Sequence, residues 1–154
     1  MEQRAKESGL EYNFDQTIPA NSFKAHRLLH LASMHHIQNE VKELLLKGYF
    51  TDGKNIDNDE TLVEMGKNAG LKEDEIREAL YSETFENEVR EDIENARKLG
   101  IQGVPFFVLN QKYAISGAQP VEVFVEALEK IKEELNLNSL SDAEGAFCGP
   151  DENC

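Results

Sequence analysis

The side chains able to do chemistry fall at a few places along the chain. Its only two cysteines, Cys148 and Cys154, flank a five-residue acidic stretch that begins Gly149-Pro150. A loop that short can close to a disulfide, so an auxiliary redox pair is one reading. The stretch has no helix start to favour thiolate, so an incidental exposed pair is the other, and two thiols are too few for a closed zinc site. His26 and His30 stand four apart, on one face of any helix there, but no third metal ligand follows at useful spacing. Asn55, Asp57 and Asp59 begin like a calcium loop, yet Glu60 occupies the glycine position and Gly66 that of the bidentate acid. No metal and no cofactor is expected.

A different kind of chemistry is offered by Val104-Pro105, immediately before the apolar run Phe106-Phe107-Val108-Leu109. Proline lacks an N–H and is tolerated at a strand's first residue but not inside a sheet. An X-Pro bond can be cis at small cost. A cis bond here would turn the Val104 backbone outward, offering its N–H and C=O to an extended peptide. A trans proline simply opening a strand is the plainer alternative, and the residues alone leave both open.

These positions have to be held by elements, and the pattern is mostly helical. Residues 1–8 read as a helix stopped by Gly9, and Leu10 to Ala20 as irregular. Asn21 or Ser22 can cap a helix with Phe23, Leu28, Leu29, Ala32 and Met34 on its apolar face. A helix over 37–50 would bury Val41, Leu44, Leu45 and Tyr49. Asp59 is placed to cap a short helix that Gly70 ends, and 71–81 forms another. From Ser82 or Thr84 a long acidic helix runs to Leu99, with Phe85, Val89, Ile93 and Ala96 at helical spacing and the acids of 83–94 read as a solvated face. The character then changes. Phe106–Leu109 is written for a strand buried on both faces, residues 110–112 for a turn, and Tyr113–Ser116 for a second strand. Pro120 suits the first turn of a closing helix. From about 136 the sequence turns polar and irregular, as a mobile tail does.

Charge narrows the partners. Sixteen Lys and Arg against thirty Asp and Glu leave a formal net charge of −14, a field that repels phosphate backbones and anionic lipid. No nucleic-acid or membrane partner is expected. The N-terminus lacks the apolar stretch of a signal peptide, and no run approaches the roughly 18 apolar residues that span a bilayer. Cytoplasmic placement is the resulting expectation.

Gly100-Ile101-Gln102-Gly103-Val104-Pro105-Phe106-Phe107-Val108, followed by Tyr113-Ala114-Ile115-Ser116-Gly117-Ala118-Gln119-Pro120, resembles the C-terminal half of the DsbA-like thioredoxin family, its FrnE-type branch most of all. Ile18–Arg27 and Tyr49–Ile56 resemble the helical domain inserted in that branch. The resemblance implies an α+β, mostly helical chain: an incomplete thioredoxin-like fold, hairpin plus C-terminal helix, with a helical insertion domain. The likeness runs to about residue 135 and divides that stretch into the insertion with a connecting helix over 1–99 and the thioredoxin-like C-terminal half over 100–135; the acidic tail over 136–154 follows. The resemblance implies that Pro105 is the family's cis-proline, facing a redox dithiol across a substrate cleft, with Val104, His26 and Arg27 as substrate-binding candidates.

In that family the dithiol sits at the start of the first thioredoxin helix, and no cysteine precedes Cys148 here. A thiolate is the nucleophile of disulfide exchange, and proline cannot replace it. The expectation is a disulfide-oxidoreductase family member, truncated or alternatively started, with no catalytic residue of its own and acting family-wise on protein or small-thiol substrates. The alternatives are a peptide-binding scaffold without catalysis, and a relative of the isomerases and kappa-type glutathione transferases. A two-stranded hairpin is marginal alone, so a homodimer or element swap is expected to cover the Phe106–Leu109 strand.

Overall fold

A computed structural model describes residues 2–135; the expected tail over 136–154, with Cys148 and Cys154, lies outside the described residues. Two compact units are present, Met1–Ala96 and a second that begins at Arg97. Seven helices and one two-stranded hairpin make up the described residues, so the chain is α+β and mostly helical.

The first unit holds α1 (Glu2–Glu7), α2 (Phe23–Met34), α3 (Gln38–Phe50), α4 (Asp59–Asn68), α5 (Glu73–Tyr81) and most of α6 (Glu83–Lys98), with a single 3-10 turn at Phe14–Gln16. Helix α2 is central and packs on α3, α4 and α5. Its Ala25, Leu28, Leu31 and Ala32 meet Val41 and Leu45 of α3, Leu62 and Met65 of α4, and Ile76 and Leu80 of α5 in one core. Being surrounded on three sides explains why α2 buries a broader face than its periodicity suggests. Leu31 is inside and so is Arg27, whereas Met34, at the open end, is 68% exposed. Glycine permits two of the close approaches. A Cβ at Gly66 would lie 2.6 Å from Ile76 Cδ1, and one at Gly48 would lie 2.1 Å from Met65 Cε.

The helix ends show how local chemistry frees side chains for other work. Asn58, not Asp59, caps α4, its Oδ1 accepting from the Thr61 N–H at 3.1 Å. Asp59 is thereby left to point elsewhere. Helix α4 stops as expected at Gly70, with φ +100°, where the Leu71 N–H reaches the Gly66 carbonyl and the Gly70 N–H that of Lys67. Helix α2 ends in the same double bond pattern, Ile37 N–H to Ala32 C=O and His36 N–H to Ser33 C=O. There the left-handed residue is His36, at φ 59°, which a Cβ disfavours.

In the second unit β1 (Phe106–Leu109) and β2 (Tyr113–Ser116) pair antiparallel, Phe107 opposite Ile115 and Leu109 opposite Tyr113. Asn110 and Gln111 both take positive φ, as the central residues of a type I′ turn must, and the Lys112 N–H closes on the Leu109 carbonyl at 3.1 Å. Helix α7 (Val121–Glu134) follows, with Pro120 as its N-cap. Phe107 packs edge-to-face on Phe124 of α7, centroids 4.9 Å apart, and Ile115 and Ile131 are buried. The strand expected to be buried on both faces is not: Phe107 is 39% exposed and Val108 41%. With only β2 beside it, β1 has apolar side chains and no second neighbour among the described residues.

Replacing His36 by glycine relieves the left-handed strain without touching the core. H36G is expected to raise unfolding free energy by about 0.5–1 kcal/mol in urea titration. An unchanged or lower midpoint would mean that the His36 side chain contributes something the cap geometry does not reveal.

Candidate functional site

The segment between α6 and β1 carries the hairpin's entrance. The Val104–Pro105 peptide bond is cis, as the resemblance implies. The Pro105 carbonyl accepts from the Gly117 N–H at 2.8 Å, which extends the pairing one step beyond β1. Val104 itself is 89% exposed, and among the described residues its N–H and C=O meet no backbone partner. An extended chain approaching here would find one free donor and one free acceptor beside an apolar side chain. That is the arrangement by which strand addition recognises a peptide.

His26 and Arg27 belong to the first unit, and their environments differ sharply. His26 is exposed on α2 and lines two cavities of that unit. One, of about 450 Å³, lies between α2 and α3; the other, of about 440 Å³, lies against Val89 and Ile93 of α6. Arg27 is 8% exposed. Its guanidinium donates to the Leu80 carbonyl at the end of α5 and to the Glu86 carboxylate of α6, and lies over the Phe23 ring at 5.2 Å. Arg90 approaches the same ring at 5.5 Å. Arg90 beside it, joined by Arg27, holds the Glu86 carboxyl below the usual carboxylate range. The Arg27 side chain is thus engaged inside the helical unit.

Arg27 is one of three basic residues that α2 turns toward carboxylates. Lys24 Nζ lies 2.6 Å from Asp59 Oδ1 of α4 and 3.2 Å from the Tyr81 hydroxyl of α5, and the Tyr81 hydroxyl also donates to Asp59. The hydrogen bond to Asp59 raises the Lys24 pKa; those from Lys24 and Tyr81 lower that of Asp59. His30 places Nδ1 3.1 Å from Glu88 Oε2 and Nε2 2.9 Å from Asp92 Oδ2, both of α6. The acidic run of α6 is therefore not merely a solvated face, because Glu86, Glu88 and Asp92 face α2. The signal for this was in the sequence, as the three-residue spacing of Lys24, Arg27 and His30, but only the packing of α2 shows what the stripe meets.

Among the described residues no three His, Cys, Asp or Glu side chains come together as a metal site. No helix there is long and apolar enough to cross a membrane. Cys148 and Cys154 fall outside the described residues.

A hairpin entered through a cis X-Pro bond and closed by a helix is the C-terminal part of a thioredoxin-like domain, and the helical unit before it marks the DsbA-like variety. The chain belongs to that family: the pattern of the DSBA-like thioredoxin domain matches residues 1–129. Among solved structures it is similar to a probable DsbA oxidoreductase of Streptomyces coelicolor, with 35% sequence identity and a TM-score of 0.75. The match covers 97% of this chain and 64% of that one, so the chain spans somewhat less than two thirds of the relative's length. None of the curated proteins compared with it matches.

Two outcomes follow from the α2 contacts. R27M should cost about 2 kcal/mol in urea unfolding, because it strands the Leu80 carbonyl and takes one cation from Glu86; a loss below about 0.5 kcal/mol would show the guanidinium to be idle. Asp59, its pKa lowered in the fold, contributes stability above its unfolded value and loses it as pH falls through the lower folded one. Wild type should therefore exceed D59N by about 1 kcal/mol near pH 6. That gap should shrink toward zero in acid, and a gap that persists below the folded pKa of Asp59 would rule out ionic origin.

Proposed function

We propose that this chain serves thiol–disulfide exchange of the FrnE-type DsbA branch as its substrate-holding portion, with Val104 and Pro105 as the docking edge. The observation that carries the reading is the exposed, unpaired Val104 backbone at the entrance of the hairpin in a chain of this family. Exchange proceeds when a thiolate attacks one sulfur of a disulfide, forming a mixed disulfide and expelling the other sulfur as thiolate. The second thiol of the attacking pair then displaces the substrate. Residues 1–135 contain no cysteine, so these residues can position a disulfide-bearing peptide but cannot attack it. Holding extended peptide is the function they retain, and it stands even where no chemistry follows.

The same hairpin gives a reason for association. Val104, Phe107, Val108, Val121, Val125 and Leu128 are all exposed, more apolar surface than a two-stranded sheet and one helix leave open in a stable monomer. We propose that a second copy, by pairing or exchange of elements, covers β1 and α7 when the chain is alone.

Three measurements test this. The chain should reduce insulin no faster than the added dithiothreitol alone; turnover above that background that survives replacement of both Cys148 and Cys154 would overturn the account. An extended unstructured peptide should bind, V104P should weaken it up to about tenfold by removing one N–H donor, and V104T, which keeps the donor, should not. Equal affinities in the two variants would remove Val104 from the docking edge. Light scattering at tens of micromolar should report a dimer that V108K disperses, and a wild-type monomer there would defeat the association proposal.

A further inference from the structure

The cavity between α2 and α3 in the helical unit has a chemistry of its own. At about 450 Å³ it is of the size that takes small molecules. Leu29, Leu45 and Phe50 form its wall, and His26, Lys42 and Tyr49 bring the polar atoms. The wall is backed by a strap. The Asn13 N–H donates to the Phe50 carbonyl at 2.8 Å, the Asn13 side chain donates to the Thr51 carbonyl at 2.7 Å, and the Thr51 hydroxyl donates to the Glu11 carbonyl at 2.7 Å. Tyr12 stacks on Phe50 with centroids 5.0 Å apart, which helps to hold that ring in place at the cavity wall. The hollow is preformed and does not depend on a ligand to open it.

Its polar groups point to the kind of ligand. In this acidic chain the other helical-unit cations are largely committed: Lys24, Arg27, Lys54, Lys67, Lys72, Arg77 and Arg90 each hold a carboxylate. Lys42, like Lys6 and Lys47, holds none among the described residues, and no hydrogen bond there engages the His26 ring or the Tyr49 hydroxyl. Lys42, His26 and Tyr49, whose polar groups make no hydrogen bond among the described residues, thus border a hollow that is otherwise mostly apolar. The complement is a molecule with an anionic head for Lys42 and an apolar body for Leu29, Leu45 and Phe50. We propose that this cavity binds a monocarboxylate bearing an acyl or aryl body of up to about ten carbons. The site lies within the helical unit and is independent of the peptide edge at Val104.

Octanoate, titrated into the full chain and followed by amide NMR, is the probe. Saturable shifts should map to α2 and α3, and 1-octanol of the same length should bind at least about fivefold more weakly because it lacks the charge. K42Q should weaken octanoate by a similar factor while K42R keeps it. L29W, which fills the hollow, should abolish binding with the helical circular dichroism unchanged. The proposal fails if octanoate produces no saturable shifts up to about 5 mM, if the shifts map instead to β1 and α7, if octanol matches octanoate, or if K42Q binds as wild type does.

Discussion

The helical unit depends on a guanidinium that has almost no water around it. Arg27 sits in the middle of the central helix, and its neighbours in the sequence, Leu28 and Leu31, are core. Burying such a charge is costly unless its donors are used. Here a backbone carbonyl from α5 and a carboxylate from α6 use them, while Nε has no partner. The balance makes the position demanding: α5 must end where Leu80 can turn its carbonyl inward, and α6 must begin close enough for Glu86 to reach. A short break at Ser82, extended at ψ 129°, lets both happen within a few residues. The course of α6 in this unit is thus tied to one side chain of α2.

Lys24 and His30 repeat the arrangement on either side of Arg27 at lower burial, Lys24 with a half-buried partner and His30 with exposed ones. An isolated surface pair contributes little. Three basic residues on one helix, Lys24 meeting a carboxylate of α4 and Arg27 and His30 meeting carboxylates of α6, instead select one arrangement of α4, α5 and α6 around α2 over rotated alternatives. In a chain with thirty acids, this is also how like-charge repulsion is relieved where helices come together. The uncompensated acids are left to the outer surface.

How much of this could be read from the residues varied with the range of the interactions. The hairpin and its closing helix were legible almost to the residue, because Pro105, the apolar run to Leu109, the turn at 110–112 and Pro120 are local signals whose meaning does not depend on distant contacts. The stops at Gly9 and Gly70 were legible for the same reason. The cap of α4 was misassigned by one position, since Asn58 and Asp59 are both good caps and the choice falls to Lys24 and Tyr81, which claim the aspartate from far along the chain. The left-handed His36 carries no glycine to announce it. Arg27 is named in the sequence only as a substrate-binding candidate implied by the resemblance, and its burial is not legible there, because a helix enclosed on three sides buries positions that a one-sided amphipathic helix leaves in water.

The hairpin poses the opposite problem to the helical unit. Its apolar pattern is that of an inner strand, yet among the described residues of the second unit only Ile115 and Ile131 are buried. Each large apolar side chain left open forgoes about 1.5–3 kcal/mol of transfer free energy, so whatever covers β1 and α7 gains several such increments together. On the reading proposed for this chain, the docking edge at Val104 adjoins that same open surface. Cover and chemistry are then hard to separate: a segment that pairs with β1 would both complete the core and stand beside the peptide-holding backbone.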